Sequence, residues 1–214
     1  MCRFLLLHTD GPFDPAPLFA AFAGACHYSR PLDEGGQRDG WGITWLGADD
    51  TWSLHKRLAP IWEDADWLAH PPRSRAYALH ARSASFERDR RNIEYNQPYL
   101  YPGDVARAPG VRQAHPYAFA FNGLLRGVRL PRPVDGRIGA QRVWSLLRAH
   151  TRELVACNIG LIDTQHVYAS CEYSHAPEYY QLRFHHGGGL RAVCSEPLPG
   201  YDFRDVPPGQ VLTL

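Results

Sequence analysis

Short apolar runs alternate along the chain with polar breaks marked by glycine or proline. Arg3 to His8 is apolar at successive positions, the pattern of a strand buried on both faces. Asp14-Pro15 predicts a helix start, a capping carboxylate followed by proline at the first helical position. That helix is expected to run to about Cys26, with Leu18, Phe19, Phe22 and Ala25 on one face. Glu34 to Gly40 reads as a loop and Trp41 to Leu46 as a strand, and Ala48-Asp49-Asp50 turns into a second strand, Thr51 to Leu58. A short helix is predicted over Trp62 to His70, and a strand over Ala76 to Arg82. Ser85 to Pro116 shows no period; a loop of that length in a compact domain is commonly functional, and its position predicts that it covers a pocket. Tyr117 to Phe121 reads as a strand ending at Asn122-Gly123, and Ile138 to Ala149 as a helix with Ile138, Val143, Leu146 and Leu147 at helical spacing. The last third reads as strands at Leu154 to Ile162, His166 to Glu172, Tyr179 to His185, Leu190 to Ser195 and Val211 to Leu214. This order predicts an α+β fold of mostly antiparallel sheets covered by helices, a single domain over residues 1–214.

Composition narrows the function classes. Hydrophobic residues make up 44% of the 214 positions and charged residues 21%, ordinary for a globular chain. A formal net charge of +1 gives no electrostatic case for nucleic acid or an anionic membrane as partner. The run Phe4 to Leu7 is too short for a signal or membrane segment, so a cytoplasmic location is expected. Cys2, Cys26, Cys157, Cys171 and Cys194 are odd in number and scattered, which does not read as a disulfide framework. With no C-x-x-C pair, no H-E-x-x-H and dispersed histidines, no zinc site is expected.

Four local features carry candidate chemistry. Removal of Met1 would expose Cys2 with a thiol and a free α-amine on one residue. These titrate at about 8.5 and about 7.7–8.0, so the amine can accept the thiol proton near neutral pH. Otherwise Cys2 is a small buried residue that starts a strand. His80-Ala81-Arg82-Ser83-Ala84-Ser85 ends a strand with an arginine able to fork onto a carboxylate beside two hydroxyls; otherwise it is a solvated strand end. Asn122-Gly123 can supply a carboxamide and a backbone N–H to an oxyanion; otherwise it is a hairpin turn, against which the non-alternating Leu124-Leu125-Arg126-Gly127 argues. Asp39-Gly40-Trp41-Gly42 places glycines at a strand entry, for close backbone approach or as loop punctuation.

Taken in order, Met1-Cys2-Arg3, Asp39-Gly40-Trp41-Gly42, His80-Ala81-Arg82, Phe121-Asn122-Gly123 and the late Ser195-Glu196-Pro197-Leu198 resemble the class II glutamine amidotransferase domain, in its small stand-alone form. The resemblance spans essentially the whole chain. It implies a four-layer αββα sandwich of the N-terminal nucleophile hydrolases, with no metal and no organic cofactor. It gives Cys2 the role of nucleophile, Asn122 and Gly123 that of oxyanion hole, and Arg82, with Ser83 and Ser85 beside it, that of substrate-carboxylate site.

Two departures bear on the substrate. The family's aspartate for the substrate α-ammonium falls on Gly139, in a stretch, Arg137 to Arg142, that holds no acid; Asp135 is off register. Phe121 stands where the family often has histidine. An ammonium without a carboxylate is held poorly in a desolvated pocket. The expected substrate is therefore glutamine or a glutamine-like γ-glutamyl amide, with ammonia released or passed to a separate synthetase or acceptor protein. The alternatives are a γ-glutamyl peptide-bond hydrolase of small-thiol metabolism, or a catalytically degenerate binding or regulatory subunit.

Overall fold

The fold is organised around its first strand, β1 (Arg3–Thr9), which is buried along its whole length. The computed structural model describes residues 2–11, 13–28, 35–84, 87–101, 117–125 and 154–214. Alternation along β1 sorts the core: Leu5 and Leu7 pack into one apolar cluster, Phe4 and Leu6 into another on the opposite face. A strand buried on both faces must lie inside a layered structure.

The first cluster receives α1 (Ala16–His27). Phe19 N–H donates to the Pro15 carbonyl at 2.9 Å, so Pro15 is the N-cap and the helix starts one residue later than predicted, with the Asp14 carboxylate accepting the Ala16 N–H at 3.1 Å. Leu18, Phe19, Phe22, Ala23 and Cys26 are buried, whereas Ala25 packs only partly. Phe19 meets Tyr77 edge-on, with ring centroids 5.3 Å apart. The hairpin β2 (Trp41–Leu46) and β3 (Trp52–Arg57) forms as expected. The helix predicted over Trp62 to His70 is instead a 3-10 turn, Ile61–Glu63, followed by α2 (Ala65–Ala69). Asp64 breaks it: its carboxylate turns inward to accept from Trp41 Nε1 at 3.2 Å and Arg57 Nη1 at 2.9 Å.

β4 (Ala76–Ala81) follows as predicted. Where no element was expected, two 3-10 turns, Glu87–Asp89 and Ile93–Tyr95, lead to a short strand, β5 (Tyr99–Tyr101). β6 (Tyr117–Leu125) runs through Asn122-Gly123 instead of ending there. β7 (Leu154–Ile162) and β8 (Val167–Tyr173) come next. The strand expected over Tyr179 to His185 begins as a helical turn, α3 (Pro177–Tyr180), before β9 (Arg183–Gly187). Pro177 suits a first helical turn, and Tyr179 and Tyr180 are buried with Val155 and Ala156, which fixes them there. β10 (Leu190–Cys194), β11 (Arg204–Asp205) and β12 (Val211–Thr213) complete the described elements.

One sheet has the order β11-β9-β10-β1-β4-β2-β3 and the other β12-β8-β7-β6-β5, with antiparallel pairing throughout. They face each other across Phe4, Leu6, Ala76 and Ala78 from the first and Ala118, Ala120 and Ile162 from the second. Gly160 permits this approach, because a Cβ there would lie 2.6 Å from Leu6 Cδ1 and 2.8 Å from Phe4 Cε2. Helices α1 and α2 cover the outer face of the first sheet through the other cluster. Helices, sheet and sheet are successive layers of the αββα sandwich. The helix expected over 138–149 lies outside the described residues. Among the described residues, no helix is long and apolar enough to cross a membrane.

Candidate active site

The layer between the sheets is apolar in its middle and polar towards its ends: His8, on the face of Phe4 and Leu6, meets the Thr164 carbonyl at 3.1 Å at one end, and the chemistry-bearing residues lie towards the other. Alternation puts Cys2 on the face of Phe4 and Leu6, and His80 and Arg82 on that of Ala76 and Ala78. Antiparallel pairing of Arg3 with Ala81 sets Cys2 opposite Arg82. On the facing sheet, Asn122 follows Ala118 and Ala120, with Asn158 directly across from it on β7. The Phe121 backbone approaches His80, and the Tyr99 hydroxyl, its pKa raised mainly by burial, feels the charges of Arg82 and Cys2. Residues of both sheets thus meet at this end, through His80 with the Phe121 backbone.

Cys2 is half-buried, and its thiol donates to the Ser83 carbonyl at 3.6 Å. Ser83 meets the thiol through its backbone; Ser85 lies outside the described residues. The residues after Cys2 are fixed from the far end of the chain. Arg3 forms a buried ion pair with Glu196, Nε at 3.0 Å and Nη2 at 2.8 Å from the same oxygen, and lies 5.8 Å from the Tyr179 ring. Phe4 N–H donates to Ser195 Oγ and Ser195 N–H to the Phe4 carbonyl, both at 3.0 Å. Thus Ser195-Glu196, noted only as a motif in the sequence, grips the strand that presents Cys2.

Arg82 is 5% exposed, so it is no solvated strand end. Its Nη1 donates to the Asn92 carbonyl at 3.2 Å and to Asn96 Oδ1 at 3.3 Å, its Nη2 donates to the Asp89 carbonyl at 2.6 Å, and its plane lies 5.5 Å from the Tyr95 ring. A guanidinium has five N–H donors. Among the described residues the loop takes three of these, and Nε–H and one Nη2–H remain able to meet a carboxylate. The loop that Arg82 gathers explains the glycines of Asp39-Gly40-Trp41-Gly42. Gly40 has φ +117 and a Cβ there would collide with the Asn96 carboxamide, while a Cβ on Gly42 would collide with the Gln97 carbonyl. They permit close approach.

Asn122 is 5% exposed and its Oδ1 is buried, with no hydrogen-bond partner among the described residues. A Cβ on Gly123 would collide with the Ala156 carbonyl. Its N–H points to the same edge of β6 as that of Phe121, two residues earlier. The β5 ladder does not reach that position, because its last pair is Tyr99 with Phe119. Gly123 thus offers an edge N–H beside the Asn122 carboxamide.

The sequence reading gave no role to His80, which is fully buried, has no hydrogen-bond partner on either ring nitrogen among the described residues, and has its pKa pushed down to about 3. Burial is the main cause, opposed by the Phe121 backbone and reinforced by the charges of Arg82 and Lys56. It also missed Asn96 and Gln97; only their place before Pro98, in a stretch without period, marked them. Among the described residues no three His, Cys, Asp or Glu side chains gather as metal ligands. A hollow of about 270 Å³ lined by Ile159, Leu161, Tyr168, Ala169, Ser170 and Val211 is nearly all apolar and includes none of the chemistry-bearing residues above.

No protein-family model and no curated protein matches the sequence. Solved structures do match the fold. The glutamine phosphoribosylpyrophosphate amidotransferase from B. subtilis aligns with TM-score 0.64 at 16% identity, over 100% of this chain and 47% of that one. The chain thus spans about half the length of that enzyme. A glutamine aminotransferase class-II domain protein from Silicibacter pomeroyi aligns with TM-score 0.56 at 18% identity, over 99% of this chain and 94% of its own. A predicted glutamine amidotransferase from Pseudomonas aeruginosa aligns with TM-score 0.53 at 15% identity, over 99% and 96%. At these identities the likeness shows the fold, and it is the fold that the sequence resemblance implies.

Proposed function

We propose that this chain, which has the fold of class II glutamine amidotransferase domains, is an amide hydrolase that uses Cys2 as an N-terminal nucleophile on glutamine or another γ-glutamyl amide. One observation supports the reading: the register sets Cys2 opposite Arg82 at one end of the apolar layer between the sheets, and Asn96-Gln97 bridges Arg82 to Phe121, the residue before Asn122-Gly123. Fold alone does not carry function, so the site bears the weight.

With Met1 removed, the Cys2 α-amine accepts the thiol proton and the thiolate attacks the γ-carbonyl carbon. The displaced electron pair goes to the carbonyl oxygen, which the Asn122 carboxamide and the Gly123 N–H stabilise. Collapse re-forms the carbonyl and breaks the C–N bond, and the α-ammonium returns its proton to the leaving nitrogen. Ammonia or an amine departs, and a γ-glutamyl thioester remains. Water, giving its proton to the same amine, cleaves the thioester and restores the thiol. The remaining Nε–H and Nη2–H of Arg82 hold the substrate α-carboxylate. The nitrogen is released, or taken up by a separate synthetase or acceptor protein.

The test is release of ammonia and glutamate by protein whose Cys2 terminus has been verified. Cys2→Ala is expected to abolish it and Asn122→Ala to slow it by about 10²–10³-fold. Equal rates in wild type and Cys2→Ala would remove the mechanism. Because position 139 is glycine, free glutamine and γ-glutamyl conjugates should be compared side by side. A marked preference for conjugates identifies a γ-glutamyl peptide-bond hydrolase, and a preference for glutamine excludes one.

A further inference from the structure

On its β5 side, the strand carrying the oxyanion donors has no backbone neighbour among the described residues just where they stand. β5 pairs with β6 through Tyr101 with Tyr117, Leu100 with Ala118 and Tyr99 with Phe119. Continued by two residues, the register would bring Gln97 opposite Phe121. The backbone ladder stops short of that pair, at Tyr99 with Phe119. The Gln97 side chain takes its place: Phe121 N–H donates to Gln97 Oε1 at 2.5 Å, and Gln97 Nε2 donates to the Phe121 carbonyl at 3.1 Å. One carboxamide thus makes both bonds that a neighbouring residue in a sheet would make. The next residues along β6 are Asn122 and Gly123.

Gln97 is itself held on two sides. Its backbone carbonyl lies against Gly42, where no Cβ would fit. The preceding residue, Asn96, accepts from Arg82 Nη1 at 3.3 Å and donates to the Arg57 carbonyl at 2.7 Å. Hydrogen bonds from Arg82 to Asn96 and between Gln97 and Phe121, joined by the Asn96–Gln97 peptide bond, therefore link the Arg82 guanidinium to the residue before Asn122.

We propose that Gln97 is a positioning residue which, by standing in for the missing strand neighbour of Phe121, fixes the oxyanion donors Asn122 and Gly123 and ties their placement to that of Arg82. This rests on the reading of Asn122 and Gly123 as the oxyanion hole. A displacement of about 1 Å at such donors costs on the order of 10²-fold in rate. Gln97→Ala is accordingly expected to lower kcat by about 10- to 100-fold, with KM changed by less than about threefold. Gln97→Glu keeps the acceptor for Phe121 N–H but sets an oxygen against the Phe121 carbonyl, and should fall between wild type and Gln97→Ala.

The experiment measures kcat and KM on γ-glutamyl amides for wild type, Gln97→Ala, Gln97→Glu, Asn122→Ala and the Gln97→Ala/Asn122→Ala double variant. The rate of Cys2 alkylation by iodoacetamide, which needs a thiolate but no oxyanion hole, is measured for each. The proposal expects normal alkylation in Gln97→Ala and a double variant slower than Asn122→Ala by clearly less than the factor Gln97→Ala costs in wild type. Turnover of Gln97→Ala within twofold of wild type, additive losses in the double variant, or alkylation falling in step with kcat would each overturn it. If Gln97→Ala does not fold, Gln97→Glu carries the same comparisons. If Asn122→Ala hydrolyses as fast as wild type, the oxyanion reading fails and this inference falls with it. A normal Gln97→Ala beside a crippled Asn122→Ala overturns the inference alone.

Discussion

Cutting the Arg3–Glu196 ion pair should be among the costliest single changes to this fold. The side chains are 3% and 7% exposed, and Arg3 Nε and Nη2 meet one carboxylate oxygen at 3.0 and 2.8 Å. Glu196→Ala removes this carboxylate from beside the buried Arg3 charge. Removal of one partner from a buried pair costs about 3–5 kcal/mol, against at most about 1 kcal/mol for a surface pair. For a chain of this size about 1 kcal/mol shifts Tm by roughly 2–4 °C, so a fall of about 6–20 °C is expected. Replacing both partners with apolar residues, Arg3→Met/Glu196→Leu, should recover much of that loss, because neither charge is then stranded. Urea titration followed by tryptophan fluorescence gives the free energies, and calorimetry the Tm. A loss below about 1 kcal/mol in Glu196→Ala, or a double variant less stable than the single one, would refute the reasoning.

Two further outcomes follow from buried titratable groups. His80 is held neutral, with its pKa at about 3, whereas in the unfolded chain it titrates at about 6.5. Between these values the unfolded state binds the extra proton, so stability is lost as pH falls below about 6.5, with a slope from this group approaching about 1.4 kcal/mol per unit. Urea midpoints from pH 7 to 4.5 should decline less steeply in His80→Leu than in wild type, and parallel curves would contradict this. Lys56, the only lysine in the sequence, has its pKa lowered to about 8, chiefly by burial, with Glu94 opposing; its Nζ lies 5.1 Å from the Tyr99 ring centroid. Reductive ¹³C-methylation gives one lysine resonance to titrate by NMR; a midpoint of about 8 is expected in the folded protein, and one above about 10 would contradict the burial argument.

What could be read in the sequence was what local pattern decides. β1 is apolar without interruption because it is covered on both sides, and the β2–β3 hairpin has its turn residues in place. Tertiary demands hid the rest. Asp64 breaks a plausible helix because Trp41 and Arg57 need its carboxylate. Aromatic Tyr179 and Tyr180 suggested a strand, yet they anchor α3 against Val155 and Ala156. Asn122-Gly123 has the composition of a turn but pairs with Cys157 and Asn158 inside a sheet. At the site, Cys2, Arg82 and Asn122 were legible as residue types in a telling order. That Arg82 would be buried was not, because its acceptors are backbone carbonyls at Asp89 and Asn92 and a side chain at Asn96, which no spacing announces. Gln97 was hidden for the same reason: its role is to replace a backbone neighbour that only the three-dimensional register shows to be missing.

The central claim is a covalent one, and the most direct measurement is mass spectrometry of protein quenched with acid during turnover of a γ-glutamyl amide. A γ-glutamyl adduct on the N-terminal peptide beginning at Cys2, increased in the steady state and absent in Cys2→Ala, is the predicted result. Turnover with no adduct, with an adduct on another cysteine, or at full rate in chains that retain Met1 would contradict it.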